Sequence, residues 1–198
     1  MSFRKELKSI LTYSKKNLLQ KWIFENNGEI LYPERNINSV YYDNESLSMY
    51  YDSVEGLVPR KKIRVRNYNK IPEFHLENNR LELKISSAEG RFKKINNLKS
   101  FNLLSYAVKD DAYGLCKPII CVSYKRTYYK INEYRLTIDK DINYRKIYFG
   151  QISNFNIKDP NSVVEIKYSG QQDDQISNIF PFHFVRFSKY CRAIEFLF

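Results

Sequence analysis

The stretch that decides the fold is Val58-Pro-Arg-Lys-Lys-Ile-Arg-Val-Arg-Asn-Tyr68. A β-strand places every second side chain on the same face, and with that period the cations Arg60, Lys62, Arg64 and Arg66 share one face. The other face carries Ile63 and Val65, which are β-branched and have apolar surface to bury. The stretch therefore predicts a strand with one packed face and one cationic face. Cations two residues apart lie about 6–7 Å from one another, so this face is expected to meet an anion.

The charge of the whole chain points in the same direction. Among 198 residues there are 33 Lys and Arg against 22 Asp and Glu, which gives a formal net charge of +11. Such an excess favours a polyanionic partner, namely nucleic acid, an acidic membrane surface or phosphate chains. The aromatic content of 16% favours sheets and argues against disorder.

Cysteine usage indicates a reducing compartment. The three cysteines, Cys116, Cys121 and Cys191, are odd in number and form no Cys-x-x-Cys or Cys/His cluster, so free thiols in a cytoplasmic protein are predicted. His75 and His183 lie far apart in the sequence, which argues against a zinc site. The sequence carries no signal-peptide pattern and no long apolar run, so no membrane insertion by this chain is expected.

The alternation of charged and apolar residues recurs along the chain. It predicts further strands at 3–11, 37–42, 80–86, 119–129, 134–139 and 163–168, with a short one at 145–149. Helices are predicted at 15–24, capped by Ser14, and at 97–108, with a short helix around Leu47 and Tyr50. The C-terminal stretch 184–195 carries Arg186, Ser188, Lys189 and Arg192.

About eight strands and few helices predict an α+β protein that is mainly β. No repeat, low-complexity tract or linker divides the sequence, so residues 1–198 are predicted to form a single domain. A sandwich would bury the apolar faces between two sheets and leave the charged faces in water. A barrel with helices packed outside would turn the charged faces inward, and eight strands enclose a space large enough for side chains or one small ligand.

Several short motifs, in this order, carry a family resemblance: Arg60-Lys-Lys-Ile-Arg-Val-Arg66, Leu81-Glu-Leu-Lys84, Ser123-Tyr-Lys-Arg126, Arg135 with Asp139, Val164-Glu-Ile-Lys167 and Phe187-Ser-Lys-Tyr190. Together they resemble the VTC family of polyphosphate polymerase domains, within the CYTH-like triphosphate-tunnel metalloenzymes. The resemblance covers nearly the entire chain, from Glu6 to Glu195. It implies an antiparallel eight-stranded β-barrel tunnel that binds a triphosphate or a longer phosphate chain, with a few helices packed outside.

The resemblance also implies an activity. Members of this family transfer the γ-phosphate of ATP onto inorganic polyphosphate with a divalent metal, Mn²⁺ or Mg²⁺. Transferred motif by motif, the metal ligand is Glu165, and Arg126, Ser188 and Lys189 have catalytic roles. The phosphate-binding residues are Lys8, Lys62, Arg64, Arg66, Lys84, Lys94, Tyr124, Arg126, Arg135, Ser188 and Lys189. Lys94 is preferred to Lys93, although the segment after Gly90 aligns loosely.

The first strand departs from the wider superfamily. There the strand often reads Glu-x-Glu-x-Lys, whereas this chain has Arg4-Lys5-Glu6-Leu7-Lys8. An arginine in place of the first carboxylate weakens the case for a triphosphate hydrolase or an adenylate cyclase, which need a fuller set of metal ligands. It suits a polymerase with one principal metal ligand.

Alternatives remain open at several points. Glu165 could form salt bridges rather than bind a metal, and Glu6 and Glu82 are interpreted as charge-balancing partners. An inorganic triphosphatase, a non-catalytic polyphosphate or nucleotide sensor, and a nucleic-acid binder are the competing functions. The expected partners are ATP and inorganic polyphosphate and no nucleic acid, with a membrane-protein partner left open.

Overall fold

The computed structural model describes residues 4–72, 74, 79–88, 90–98, 106–169 and 178–198. Its strands are β1 (Arg4–Leu11), β2 (Glu29–Asp43), β3 (Arg60–Asn67), β4 (Asn79–Ser87), β5 (Gly90–Leu98), β6 (Val108–Asp110), β7 (Gly114–Ile131), β8 (Tyr134–Tyr148), β9 (Gln151–Ile152), β10 (Ile157–Lys158) and β11 (Ser162–Ser169). The α-helices in the described part of the chain are α1 (Lys16–Glu25), α2 (Ser48–Glu55) and α3 (Lys189–Leu197). A 3₁₀ turn at Tyr13–Lys15 precedes α1.

Eight of these strands form one hydrogen-bonded path, in the order β1-β11-β8-β7-β2-β3-β4-β5. The short strand β6 pairs with β7, and β9 and β10 pair with β8. Every registered pair is antiparallel. The predicted mainly β, antiparallel architecture is therefore confirmed, and eight strands of the 11-stranded sheet lie on its main path, as many as the predicted β-barrel tunnel has. Within the described residues the path has two ends, because no pairing joins β5 to β1.

The chain divides into two compact units. The first comprises residues 1–35, 124–142 and 159–187, and the second comprises 36–123, 143–158 and 188–198. Strands β2, β7 and β8 each contribute to both units. The predicted single domain over residues 1–198 stays a prediction.

The first unit buries the apolar faces of its strands under helix α1. Leu19, Trp22 and Ile23 of the helix pack with Leu136 of β8 and Ile166 of β11 in one hydrophobic cluster. The indole Nε1 of Trp22 donates a hydrogen bond of 2.7 Å to the carbonyl of Ile179. Because these strands alternate, their polar side chains emerge on the opposite face.

The second unit follows the same principle with β2 to β5 and helices α2 and α3. Val40, Ile63 and Val65 are buried, and α2 contacts both β3 and α3. The Asp43 carboxylate accepts hydrogen bonds from the amides of Met49 and Tyr50 in the first turn of α2, at 3.1 and 3.0 Å. Such bonds satisfy amides that a helix start leaves without intrahelical partners.

Several predicted boundaries were wrong, each for a local reason. Ser14 is not a helix cap: it lies in the 3₁₀ turn, Lys15 stands at the N-cap position, and no side chain caps α1. The predicted strands 134–139 and 145–149 are one strand, β8, whose polar run Asp139-Lys-Asp141 interrupts the apolar alternation. The first half of β2 was missed because its side chains are mostly exposed and show no alternation.

The helix predicted at 97–108 was wrong at both ends. Leu98 ends β5 and Val108 begins β6, while residues 99–105 lie outside the described residues. The C-terminal helix α3, by contrast, was not predicted. The aromatic and charged residues of 184–195 hid the amphipathic pattern that buries Tyr190, Cys191, Ala193 and Ile194.

Candidate phosphate and metal site

Strands β3, β4 and β5 of the second unit align their cations in rows. Lys62 lies opposite Lys84, and Lys84 lies opposite Lys93. Directly opposed residues of antiparallel strands share a face and have Cβ atoms about 4.5–5.5 Å apart. Alternation adds Arg64 and Arg66 to the same face. We call this set the cationic face: Lys62, Arg64, Arg66, Lys84 and Lys93.

Glu82 is the carboxylate of this face, and it is 1% exposed. Its Oε2 lies 2.6 Å from Arg64 Nη2 and 3.9 Å from Arg66 Nη1, and its Oε1 accepts a hydrogen bond from Lys93 Nζ. Burial alone would raise the pKa of Glu82, but Arg64, Arg66 and Lys93 together lower it from 4.5 to about 2. Glu82 is therefore ionised at neutral pH and fixes the directions of three cations, in keeping with its interpretation as a charge-balancing partner.

The preference for Lys94 over Lys93 is corrected by the register. Lys94 lies opposite Leu83, which lies opposite Ile63, so its side chain is on the other face from Lys84. Lys93 lies opposite Lys84 and forms the ion pair with Glu82. The sequence could not decide this point, because a shift of one residue in register exchanges the two faces.

Ser188 and Lys189 begin helix α3. The Ser188 hydroxyl is the N-cap: it accepts a 3.3 Å hydrogen bond from the amide of Cys191 and a 2.9 Å bond from Lys62 Nζ. Lys189 is the first residue of the helix and is half-buried. Two of the residues given catalytic roles thus stand at a helix N-terminus, whose amides favour anions, and Ser188 touches the cationic face through Lys62.

Sequence reasoning missed the tyrosines beside this face. Tyr41 Oη accepts a 3.1 Å hydrogen bond from Arg64 Nη1, and the Tyr41 ring stacks on that of Tyr190 with centroids 5.3 Å apart. Burial would raise the pKa of Tyr41, but Arg64 and Arg66, with a smaller effect of Lys189, lower it below 10.0. The hydroxyl of Tyr190 in turn donates to the Asp43 carboxylate. The alternation of β2 could have identified Tyr41, whereas Tyr190 depends on the unpredicted helix.

The first unit carries a second charged face on β1, β11 and β8. In one row Lys8 lies opposite Glu165, which lies opposite Thr137; in the next row Glu6 lies opposite Lys167, which lies opposite Arg135. Arg126 and Tyr124 of β7 join through the ion pair of Arg126 with Asp139. We call this set the mixed-charge face: Glu6, Lys8, Tyr124, Arg126, Arg135, Thr137, Asp139, Glu165 and Lys167.

Glu165 is buried in this face and is ion-paired. Its Oε1 lies 2.8 Å from Lys167 Nζ, and its Oε2 lies 3.9 Å from Lys8 Nζ. Burial would raise the pKa of Glu165, but Lys167, Lys8 and Arg126 hold it well below its usual range. Lys8 has further partners besides Glu165: its Nζ donates a hydrogen bond to the carbonyl of Phe187 at 3.1 Å and lies 3.1 Å from Glu6 Oε1.

Arg126 is held by Asp139 in a two-pronged ion pair. Its Nη2 donates to Asp139 Oδ2 at 2.7 Å and its Nε to Oδ1, while the guanidinium lies 5.4 Å from the centroid of the Tyr124 ring. Burial would lower the pKa of Arg126, but Tyr124, Asp139 and Glu165 hold that pKa well above its usual value. The guanidinium therefore keeps its charge and is fixed in direction, which suits a planar fork that engages two oxygens of an anion at once.

Two polar atoms of this face are buried without a hydrogen-bond partner among the described residues. They are Nε of Arg135 and Oγ1 of Thr137, which lies in register with Glu165. Buried polar groups are satisfied in nearly all proteins, and an exception asks for an explanation such as a ligand, ion or water. The mixed-charge face thus has both a donor and a hydroxyl available next to Glu165.

These residues fit a divalent cation only if substrate phosphates supply part of its coordination. No group of three or more His, Cys, Asp or Glu side chains converges on a metal position in the described parts of the chain. Mg²⁺ and Mn²⁺ are hard ions that prefer oxygen ligands, and Mg²⁺ is commonly held by one or two carboxylates together with substrate phosphates. Glu165 fits that arrangement, with the orphaned Thr137 Oγ1 as a neighbouring oxygen.

Comparison with solved structures shows which fold this is. The chain resembles a proposed adenylate cyclase from Vibrio parahaemolyticus, with a TM-score of 0.55, 11% sequence identity and coverage of 98% of both chains. It resembles a second proposed adenylate cyclase, from Bacillus halodurans, with a TM-score of 0.54, 12% identity and coverage of 95% of this chain and 94% of the other. At these identities the likeness concerns the fold alone.

The family is shown by the sequence itself. The model of the VTC domain matches residues 3–198, so the chain belongs to the VTC domain family, and the resemblance drawn from the motifs is confirmed. No curated protein matches this chain. No helix in the described ranges is long and apolar enough to cross a membrane.

Proposed function

We propose that this protein is an ATP-dependent polyphosphate polymerase, which transfers the γ-phosphate of ATP onto a growing inorganic polyphosphate chain. The observation that carries the proposal is the cationic face of a VTC-family chain, where five cations share a face with one carboxylate: Lys62, Arg64, Arg66, Lys84 and Lys93. Five cations with one anion leave a large positive excess. A chain of phosphates, with about one negative charge per unit, is a ligand that matches repeated cations on neighbouring strands.

Each residue has a proposed task. Arg64, Arg66, Arg126 and Arg135 would each engage two phosphate oxygens through the guanidinium fork, and Lys8, Lys62, Lys84 and Lys93 would act as point charges. Tyr124 and Ser188 would donate neutral hydrogen bonds. Arg126 in the first unit, and Ser188 and Lys189 in the second, would each stabilise charge that develops on phosphoryl oxygens, which is the main demand of this chemistry.

The reaction needs no general base from the protein. The nucleophile would be a terminal phosphate oxygen of the acceptor chain, which is already ionised at neutral pH, and ADP would leave with the β–γ bridging oxygen. The residues then have only to bind and align two anionic reactants whose charges repel each other. The excess of cations over carboxylates on the cationic face serves that purpose.

Glu165 would hold Mn²⁺ or Mg²⁺ together with phosphate oxygens, and the ion would neutralise charge on those oxygens. To reach the ion, Glu165 would exchange its contact with Lys167 or Lys8 for a metal–oxygen contact. The lysine that loses Glu165 in this exchange would turn towards phosphate, while Glu6 stays an ion-pair partner of Lys8 and Lys167. A metal site that depends on substrate in this way agrees with a carboxylate, Glu165, that lies in register with the partnerless hydroxyl of Thr137.

An inorganic triphosphatase is the second candidate function. The same residues would bind the triphosphate, and water would replace the acceptor chain. Both reactions start from ATP or triphosphate bound to the same faces, so the geometry of the protein does not separate them and the products must. ATP as the donor also makes a cytoplasmic location part of the proposal.

The test is to incubate the purified protein with ATP and Mn²⁺, or with Mg²⁺, and to analyse both products. We expect ADP to form in proportion to a phosphate polymer that exopolyphosphatase digests. ADP with free phosphate and no polymer would instead support the triphosphatase. If triphosphate binds but ATP is not consumed, the protein is a sensor and the polymerase proposal is wrong.

A further inference from the structure

The turn between β8 and β9 carries an unusual residue. Tyr148 pairs with Gln151, so Phe149 and Gly150 form a two-residue hairpin turn, with φ of 47° and 73°. Turns with positive φ at both positions strongly favour Asn-Gly or Asp-Gly. A bulky phenylalanine at positive φ is an outlier. The first position of this turn is therefore not occupied by the residue type with the lowest conformational strain there.

The side chain of Phe149 is fully exposed to solvent. It is 104% exposed relative to a reference residue, whereas Tyr148, which precedes it, and Phe155, in the loop after β9, are 51% and 67% exposed. The loop that carries Phe155 is held in place, because the amide of Ser153 donates to the carbonyl of Lys146 at 2.8 Å and the amide of Phe155 donates to Ser153 Oγ at 3.0 Å. We call Tyr148, Phe149 and Phe155 the aromatic tip.

The segment that bears the aromatic tip is positively charged. Between Asp141 and Asp159 there are three cations, Arg145, Lys146 and Lys158, and no acidic residue. Lys146 Nζ lies 5.3 Å from the centroid of the Tyr148 ring. None of these cations belongs to the cationic face or to the mixed-charge face, so the proposed phosphate chemistry does not account for them.

We infer that the aromatic tip is a peripheral membrane contact, which places Phe149 among the headgroups of an anionic lipid surface. A single protruding ring suits a deformable lipid interface, since a protein partner would need a pocket shaped to receive it. Aromatic side chains concentrate at such interfaces, and lysines beside them add attraction to anionic lipids. The contact is of the interfacial kind, in which the segment lies on the membrane surface without spanning it.

The test compares binding of the full chain to sedimented vesicles of phosphatidylcholine with and without phosphatidylserine. We expect the wild-type protein to sediment with the vesicles that contain phosphatidylserine. Phe149→Asn should reduce the vesicle partition coefficient roughly tenfold, because one phenylalanine is no longer buried in lipid. It should not impair folding, because it creates the Asn-Gly pair that this turn favours.

The matched control is Phe24→Asn, since Phe24 on α1 is 84% exposed and lies outside the aromatic tip. It should leave vesicle binding unchanged. Equal losses in both variants, or wild-type sedimentation of Phe149→Asn, would overturn the inference. A wild-type protein that binds neither vesicle type would also overturn the inference. The same holds if the protein self-associates through the aromatic tip, which light scattering would detect as a dimer that Phe149→Asn abolishes.

Discussion

The cationic face and the mixed-charge face arise from the same strand pattern but differ in charge balance. Glu82 stands among the five cations of the first, whereas the second sets Glu6, Asp139 and Glu165 against Lys8, Arg126, Arg135 and Lys167. An unbalanced face attracts an anion. A nearly balanced face can fix directions and can release a carboxylate to a metal when an anion takes over its lysines.

The two buried glutamates make the comparison concrete. Glu82 contacts two arginines and a lysine, so its charge orients three groups that we propose bind phosphate. Glu165 contacts two lysines and lies in register with Thr137, whose hydroxyl has no partner. Lysine is a flexible point charge that can turn towards a new anion, whereas arginine is held by the geometry of its fork. Glu165 is therefore the carboxylate that is easier to release.

The largest expected effect is that of Glu165→Gln on turnover. The amide keeps the shape of the side chain but removes the charge that would hold the metal. ATP turnover should fall by about a thousandfold or more, because charge stabilisation at the transferring phosphoryl group is lost. Polyphosphate affinity should survive, since it depends mainly on Lys and Arg. Turnover assays and fluorescence titration with tripolyphosphate measure the two properties separately.

Glu82→Gln is the matched variant on the other face. It should lower the free energy of unfolding by about 3 kcal/mol, because buried cations lose their partner, and added tripolyphosphate should restore much of that stability. If Glu165→Gln instead lowers stability, binding and turnover in proportion, Glu165 is a salt-bridge partner and the distinction between the two faces fails.

A smaller effect is expected on stability at acid pH. The pKa of Glu82 falls from 4.5 to about 2 on folding, so its contribution to stability is fully present above pH 4.5 and is lost as the pH falls towards 2. With allowance for solvent screening, the contribution is on the order of 2 kcal/mol. Urea unfolding at a series of pH values should show this loss of unfolding free energy in the wild type. In Glu82→Gln the unfolding free energy should depend less steeply on pH over the same range. An unchanged slope would mean that Glu82 titrates normally.

The smallest effect separates the two lysines of β5. Lys93 is 43% exposed at the side chain, so its contact with phosphate is worth about 1 kcal/mol, less than a buried charge-assisted bond. Lys93→Ala should weaken tripolyphosphate binding about fivefold, and Glu82 keeps Arg64 and Arg66 as partners. Lys94→Ala, one residue away on the opposite face, is the control and should leave affinity unchanged. A reversal of the two results would show that β5 presents its other face to phosphate.

The sequence predicted those features that depend on alternation within one strand. The period of two placed Lys62, Arg64 and Arg66 together, and it placed Glu165 opposite the apolar Val164 and Ile166. Register between strands could not be predicted in the same way, because it depends on pairing partners that are distant in the sequence. That is why Lys94 was preferred to Lys93, and why the row of Lys62, Lys84 and Lys93 became visible only in the structure.

Partners that come from a distant element were also missed. Tyr190 reaches Asp43 from a C-terminal helix whose periodicity is masked by Phe and Arg side chains. Orphaned atoms such as Thr137 Oγ1 have no signal in the sequence, since only packing decides whether a hydroxyl is buried without a partner. The functional prediction came from the family resemblance, and the physics of each strand explains why its residues suit that role.

The pairing of β1 with β11 has a consequence during protein synthesis. Leu11 pairs with Ser162, and ribosomes add about 5–20 residues per second, so β1 waits roughly 10–30 s after its synthesis for its partner. Throughout that interval β1 exposes unpaired backbone groups and the apolar side chains of Leu7 and Leu11, the state in which nascent strands aggregate. Its charged residues Lys5, Glu6 and Lys8 oppose such aggregation, and we expect a nascent chain whose β1 lost those charges to depend on chaperones to reach the folded state.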